Sequence, residues 1–199
     1  MKNKEKTSPG LTNKQGDALL SIARQTIMES LGIKDPNLNN EKIEEILKDE
    51  IFQTNSGTFV TLHLNGQLRG CMGTLMASET IKDGVKRNAI NAAFHDPRFP
   101  GVKKDELKSI DMEISILTKP APMVYKDGQD LIDNLRVNID GVILQKGRAG
   151  ATFLPQVWEQ LPSPEDFLSH LCLKAGLPHD AWNSPGIEIL TYQVQYFNE

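Results

Sequence analysis

The stretch "FVTLHLNGQLRGCMGTL", residues 59–75, decides how this chain folds. Asn65-Gly66 stands between two apolar-rich runs and predicts a hairpin closed by a two-residue type I′ turn. In the plain register such a turn pairs Leu64 with Gln67, Leu62 with Arg69 and Val60 with Cys71. Side chains alternate along a strand, so Arg69 and Cys71 then share one face, with Val60, Leu62 and Leu64 alongside. His63 falls on the other face with Thr61 and Leu68, a poor position for a base acting on Cys71. A bulge at Gly70 or Gly73 shifts this register, and glycines are where bulges form.

The thiol in "RGCMG" has two readings. Gly70 and Gly73 lack side chains, so a ligand or another backbone can approach Cys71, and Arg69, about 7 Å along the strand, favours thiolate. The plainer reading makes Cys71 a small buried hydrophobe in a crowded sheet.

Outward from the hairpin, "TNKQ" (Thr12–Gln15) has the form of a capping box for a helix that carries Leu20, Ala23, Ile27 and Leu31 and stops at Gly32. Residues 1–10 read as a disordered tail, and residues 33–50 as a loose segment with a short helix. Thr80 to Phe94 reads as a helix with Ile81, Val85, Ala89 and Ala92 on one face, ending before Pro97. Ile110, Met112, Ile114 and Ile116 alternate with polar residues, the mark of a half-buried strand. "GVILQKGRAGATFLP" predicts a second hairpin, "SPED" (Ser163–Asp166) starts another helix, and a final strand runs from Ile187 to about Tyr196. Strands that adjoin in hairpins imply an α+β fold with a mainly antiparallel sheet flanked by helices.

Bulk properties narrow the function. A net charge of −4 and a pI near 5.6 offer nucleic acid no general attraction. Two cysteines, Cys71 and Cys172, neither in a CxxC pair, read as reduced thiols. No apolar run approaches the roughly 18 residues of a membrane span, and the charged start has no signal-peptide form, so a cytoplasmic protein is expected. In "HDPRF" (His95–Phe99), Asp96 is placed to bond local backbone and Arg98 to meet a carboxylate or phosphate; the plainer reading, preferred on these residues alone, is a turn with solvated charges and Phe99 tucked into the core. His170 and Cys172, two apart on a helix, point about 200° away from each other and cannot chelate one ion. Glu113 lies on the polar side of its strand. No P-loop, HExxH or GxSxG is present.

Several blocks together carry a resemblance: "GTFVTLHLNGQLRGCMGTL", "NAINAAFHDPRF", "MEISIL", "FLPQVW" and "EDFLSHLCLKAGLPHDAW". In this order and spacing, over about residues 12–197, the chain resembles the AMMECR domain family, with Met72 where isoleucine is more usual. The resemblance implies one domain over 11–199, with a larger and a smaller subdomain framing a cleft. It implies Memo-type and radical S-adenosylmethionine proteins as partners, and it brings no settled activity, cofactor or metal. It points to Arg69, Gly70, Gly73, Asp96, Arg98 and Phe99 as residues of a functional cleft, with Glu113 added, suited to a small anionic ligand. The expected function is a binding or scaffold module serving those partners. The alternatives are a thiol-dependent enzyme with Cys71 as nucleophile and His95 or His170 as base, and a nucleic-acid-related housekeeping role.

Overall fold

The computed structural model describes residues 10–33 and 40–199. The tail expected over 1–10 lies, apart from Gly10, outside the described residues, as do residues 34–39 of the loose segment. The fold is α+β, with two antiparallel four-stranded sheets. The chain divides into two compact units, one running to Thr118 and regaining Gln195–Glu199, the other Lys119–Val194.

In the first unit, α1 (Asn13–Ser30) begins at the expected capping box, Thr12 Oγ1 accepting from the Gln15 amide while the Gln15 side chain accepts from the Thr12 amide. It buries Leu19, Ile22, Ala23 and Ile27 and ends beside Gly32, whose φ of +66° suits a residue without Cβ. A short α2 (Asn40–Ile46) follows. Strands β1 (Thr58–Leu64) and β2 (Gln67–Thr74) meet at Asn65 (φ 52°) and Gly66 (φ 77°), both left-handed as a type I′ turn requires. Helix α3 (Ile81–Ile90) does not run unbroken to Phe94: its end widens into a π turn, Asn91–His95. Strand β3 (Ile110–Leu117) pairs with β1, and β8 (Val194–Asn198) closes the order β2-β1-β3-β8. Val60 and Leu62 of β1 and Ile110, Met112 and Ile114 of β3 are buried in one core with the apolar faces of α1 and α3.

The second unit holds the sheet β4-β7-β5-β6, from β4 (Ala121–Pro122), β5 (Gly141–Lys146), β6 (Ala149–Phe153) and β7 (Glu188–Tyr192). Two helices accompany it, α4 (Gly128–Asn134) and α5 (Pro164–Lys174), the latter capped by Ser163. Its core centres on Trp158, stacked on Phe167 at 3.7 Å between ring centroids. The strand expected from Ile187 to Tyr196 is thus two strands: β7 joins this sheet, and after Gln193 the chain joins the other as β8.

Candidate functional site

The hairpin keeps its plain register for only two pairs, Leu64 with Gln67 and His63 with Leu68. Leu62 then pairs with Gly70, Thr61 with Cys71 and Val60 with Met72, leaving Arg69 as the extra residue of a β-bulge. One inserted residue turns every later side chain of β2 to the opposite face from that expected. Cys71 therefore lies with Thr61 and His63, away from the face that buries Val60 and Leu62. The expectation that His63 faces away from Cys71, and that Arg69 shares its face, is overturned by this single bulge.

Arg69 is consequently not beside the thiol. Its side chain, 10% exposed, is gripped by Glu106 through Nε at 2.9 Å and Nη2 at 3.1 Å. Nη1 and Nη2 also donate to the carbonyls of Pro100 and Gly101, at 2.8 and 3.3 Å. The guanidinium holds the Glu106 carboxyl below the usual carboxylate range. So saturated, Arg69 braces the segment after the π turn.

The glycines of the motif have packing reasons of their own. A Cβ on Gly70 would lie 2.1 Å from the carbonyl oxygen of Ala92 in the π turn, and one on Gly73 would lie 2.2 Å from the Phe59 ring. Gly70 thus admits another backbone, as the sequence allowed, and the approach it permits docks the π turn on β2.

That docking delivers Asp96 to the outer edge of β2. Its carboxylate, 2% exposed, accepts the Cys71 amide at 2.9 Å, the Arg98 amide at 3.1 Å, and Arg98 Nε and Nη2 at 2.9 and 2.7 Å. Arg98 Nη2 donates in turn to the Cys71 carbonyl at 3.2 Å. Two side chains from "HDPRF" therefore satisfy both backbone groups of Cys71, standing where a neighbouring strand would pair. The Arg98 guanidinium, chiefly, and the two amides hold Asp96 far below the usual carboxylate range. Arg98 stays 53% exposed, its Nη1 without a hydrogen-bond partner among the described residues, and its guanidinium carbon is 5.5 Å from the half-buried Phe99 ring centroid.

Across the sheet, Thr61 pairs with both Cys71 and Glu113, so these three form one row on the face away from the core. Thr61 Oγ1 donates to Cys71 Sγ at 3.3 Å. Burial raises the Glu113 carboxyl above its ordinary range, and the charge of His63 opposes that rise. His63, two residues from Thr61 along β1 and opposite Asp111, completes the group. From sequence His63 is set aside as a base on the wrong face and Thr61 is named only beside it; the signal that reverses this is the bulge allowed for at Gly70, which the structure places at the adjoining Arg69.

The histidines expected as bases are engaged locally. His95 is exposed, its Nδ1 3.2 Å from Asn91 Oδ1 within the π turn. His170 belongs to the second unit, exposed on α5, its Nδ1 2.8 Å from the Asp166 carbonyl. Cys172 is fully buried, and burial raises its thiol. Among the described residues no group of three His, Cys, Asp or Glu side chains is placed to hold a metal ion, and no helix is long and apolar enough to cross a membrane.

Comparison with known proteins agrees with the resemblance read from the motifs. The chain is 39% identical over 195 residues to a protein of Methanothermobacter thermautotrophicus, covering 95% of this chain and 96% of that one. It is 35% identical over 196 residues to protein MJ0810 of Methanocaldococcus jannaschii, covering 95% and 92%. The crystal structure of the uncharacterized protein PH0010 from Pyrococcus horikoshii superposes with a TM-score of 0.79 at 29% identity, over 95% of this chain and 93% of that one. The AMMECR1 family model matches residues 20–197, and the chain belongs to that family.

Proposed function

We propose that this protein is a binding module, and that its working surface is the strip where Asp96 ties "LRGCMG" to "HDPRF". The observation that carries this reading is the state of Arg98. Its Nε and Nη2 are locked on a buried carboxylate, while Nη1 has no partner among the described residues and half the side chain stays exposed. A guanidinium fixed in this way has lost its rotamer freedom before any ligand arrives, so it binds a carboxylate or phosphate at a lower entropic cost. The partners proposed are a Memo-type protein and a radical S-adenosylmethionine protein, with the anionic group presented by one of them or by a small ligand they share.

The test is capture from the source organism on tagged protein, comparing the native chain with Arg98→Lys. Lysine keeps the charge and loses the fork. Enrichment of either partner by the native chain, and its loss in an Arg98→Lys protein whose circular dichroism shows it still folded, is the expected result. Capture of neither partner, or equal capture by both proteins, sinks the reading. A thiol-dependent enzyme acting on a small anionic substrate is the second reading, favoured by the face that Cys71 shares with His63.

A further inference from the structure

Cys71 is partly exposed and sits in a row of hydrogen-bonding and titratable groups that spans three strands. On β1, Thr61 already donates to Sγ at 3.3 Å, which makes the sulfur an acceptor. His63 lies diagonally across from Cys71 on the same face, a separation of about 7–8 Å between positions that long side chains span. Its imidazole has no hydrogen-bond partner among the described residues, whereas His95 is bonded within its own turn. On β3, Asp111 is paired with His63 and Glu113 with Thr61; burial raises the Glu113 carboxyl and the charge of His63 lowers it. From the turn after α3, Asp96 and Arg98 hold the backbone of Cys71 and so fix where its thiol points.

We infer that Cys71 is a reactive thiol whose proton passes to His63, with the Glu113 carboxyl on the same face of the neighbouring strand as the charged group nearest in register to both. The ligand class is an activated acyl compound carrying a carboxylate or phosphate, the anionic group meeting the open edge of Arg98. The Sγ–H bond breaks as an imidazole nitrogen takes the proton. The sulfur then forms a bond to the acyl carbon, and the bond from that carbon to its leaving group breaks. The leaving group departs with the electron pair and receives the proton from the imidazolium. The inference rests on the second reading above, a thiol-dependent enzyme, and not on partner binding: its thiol step is read on the isolated protein at His63, and only its anionic-class arm is read at Arg98.

The test is the rate of iodoacetamide labelling of Cys71 against pH, followed by peptide mass spectrometry on the native chain, His63→Gln, His95→Gln and Glu113→Gln. Cys172, fully buried, labels only on unfolding and reports whether each variant is folded. Near pH 6.5 the native thiol is expected to label about tenfold faster than in His63→Gln. His95→Gln is expected to match the native rate, and Glu113→Gln to shift the profile without abolishing labelling. Superimposable profiles for the native chain and His63→Gln overturn the inference. Should His63→Gln unfold, the imidazole signal of His63 is titrated by NMR in the native chain and in Cys71→Ser. A moved midpoint supports the pair, and an unmoved one overturns it. The iodoacetate-to-iodoacetamide rate ratio reads the anionic class. It is expected to fall several-fold in Arg98→Gln, and an unchanged ratio removes that part of the proposal.

Discussion

The carboxylate of Asp96 accepts the backbone amide of Cys71 at 2.9 Å, joining two motifs 25 residues apart in the chain. The sheet edge at β2 would otherwise present an unpaired amide and carbonyl. Asp96 takes the first and Arg98 the second, so one ion pair both closes the edge and aims a guanidinium outward.

Asp96→Asn should destabilise the fold by about 1–3 kcal/mol at pH 7, because the amide cannot accept all the donors the carboxylate accepts. Asp96 has a folded pKa below its unfolded value of about 3.9, so its contribution is present above that value and lost as pH falls towards the folded one. Urea titrations of both proteins should therefore differ at neutral pH and converge in strong acid.

Gly70→Ala should cost about 1–3 kcal/mol or more, since the new methyl would meet a backbone carbonyl that cannot step aside. At Gly66 the added methyl meets nothing, and only the φ of +77° is strained, at about 1 kcal/mol. Melting curves should thus rank Gly70→Ala below Gly66→Ala, although Gly66 has the unusual backbone angle.

Arg69→Met should lower stability by about 1–3 kcal/mol, leaving two carbonyls without the Arg69 donor and Glu106 with only the Lys103 amide. Any of this protein that remains folded should still label at Cys71 at the native rate, because Arg69 is turned away from the thiol. A labelling defect equal to that of His63→Gln would contradict the placement of Arg69.

Glu113→Gln should stabilise the protein at neutral pH. Its carboxyl titrates higher folded than unfolded, so the folded state loses stability as pH rises from the unfolded pKa through the folded one. Below both values the difference between the proteins should vanish, and thermal melts at pH 3 and pH 7.5 would show it.

Features with local physical causes were legible in the sequence. The Thr12 capping box, the Asn65-Gly66 turn, the alternation from Ile110 to Ile116 and the Ser163 cap each occur as read. The bulge at Arg69 was not, because a period of two continues unbroken in the letters whether or not one residue is skipped in pairing. The register shift was anticipated only at the neighbouring glycines. The meeting of Asp96 with Cys71 depends on that bulge, on the π turn and on the close approach at Gly70, none of which leaves a periodic trace. The division of residues 187–198 into β7 and β8 escaped for a similar reason, since an apolar alternation does not say which sheet it joins. Both β4, only two residues long, and the seven-residue α4 went unread.

The placement of Cys71 on the Thr61 and His63 face is tested most directly by a cross-strand disulfide. Cys71 directs its amide and carbonyl outward to Asp96 and Arg98, so it and Thr61 form a non-hydrogen-bonded pair with Cα atoms about 4.5 Å apart, within disulfide reach. In a glutathione buffer, Thr61→Cys should form a disulfide with Cys71, while Val60→Cys, on the opposite face, should leave Cys71 reduced. A disulfide in Val60→Cys and none in Thr61→Cys would restore the unbulged register and return His63 to the wrong side of the sheet.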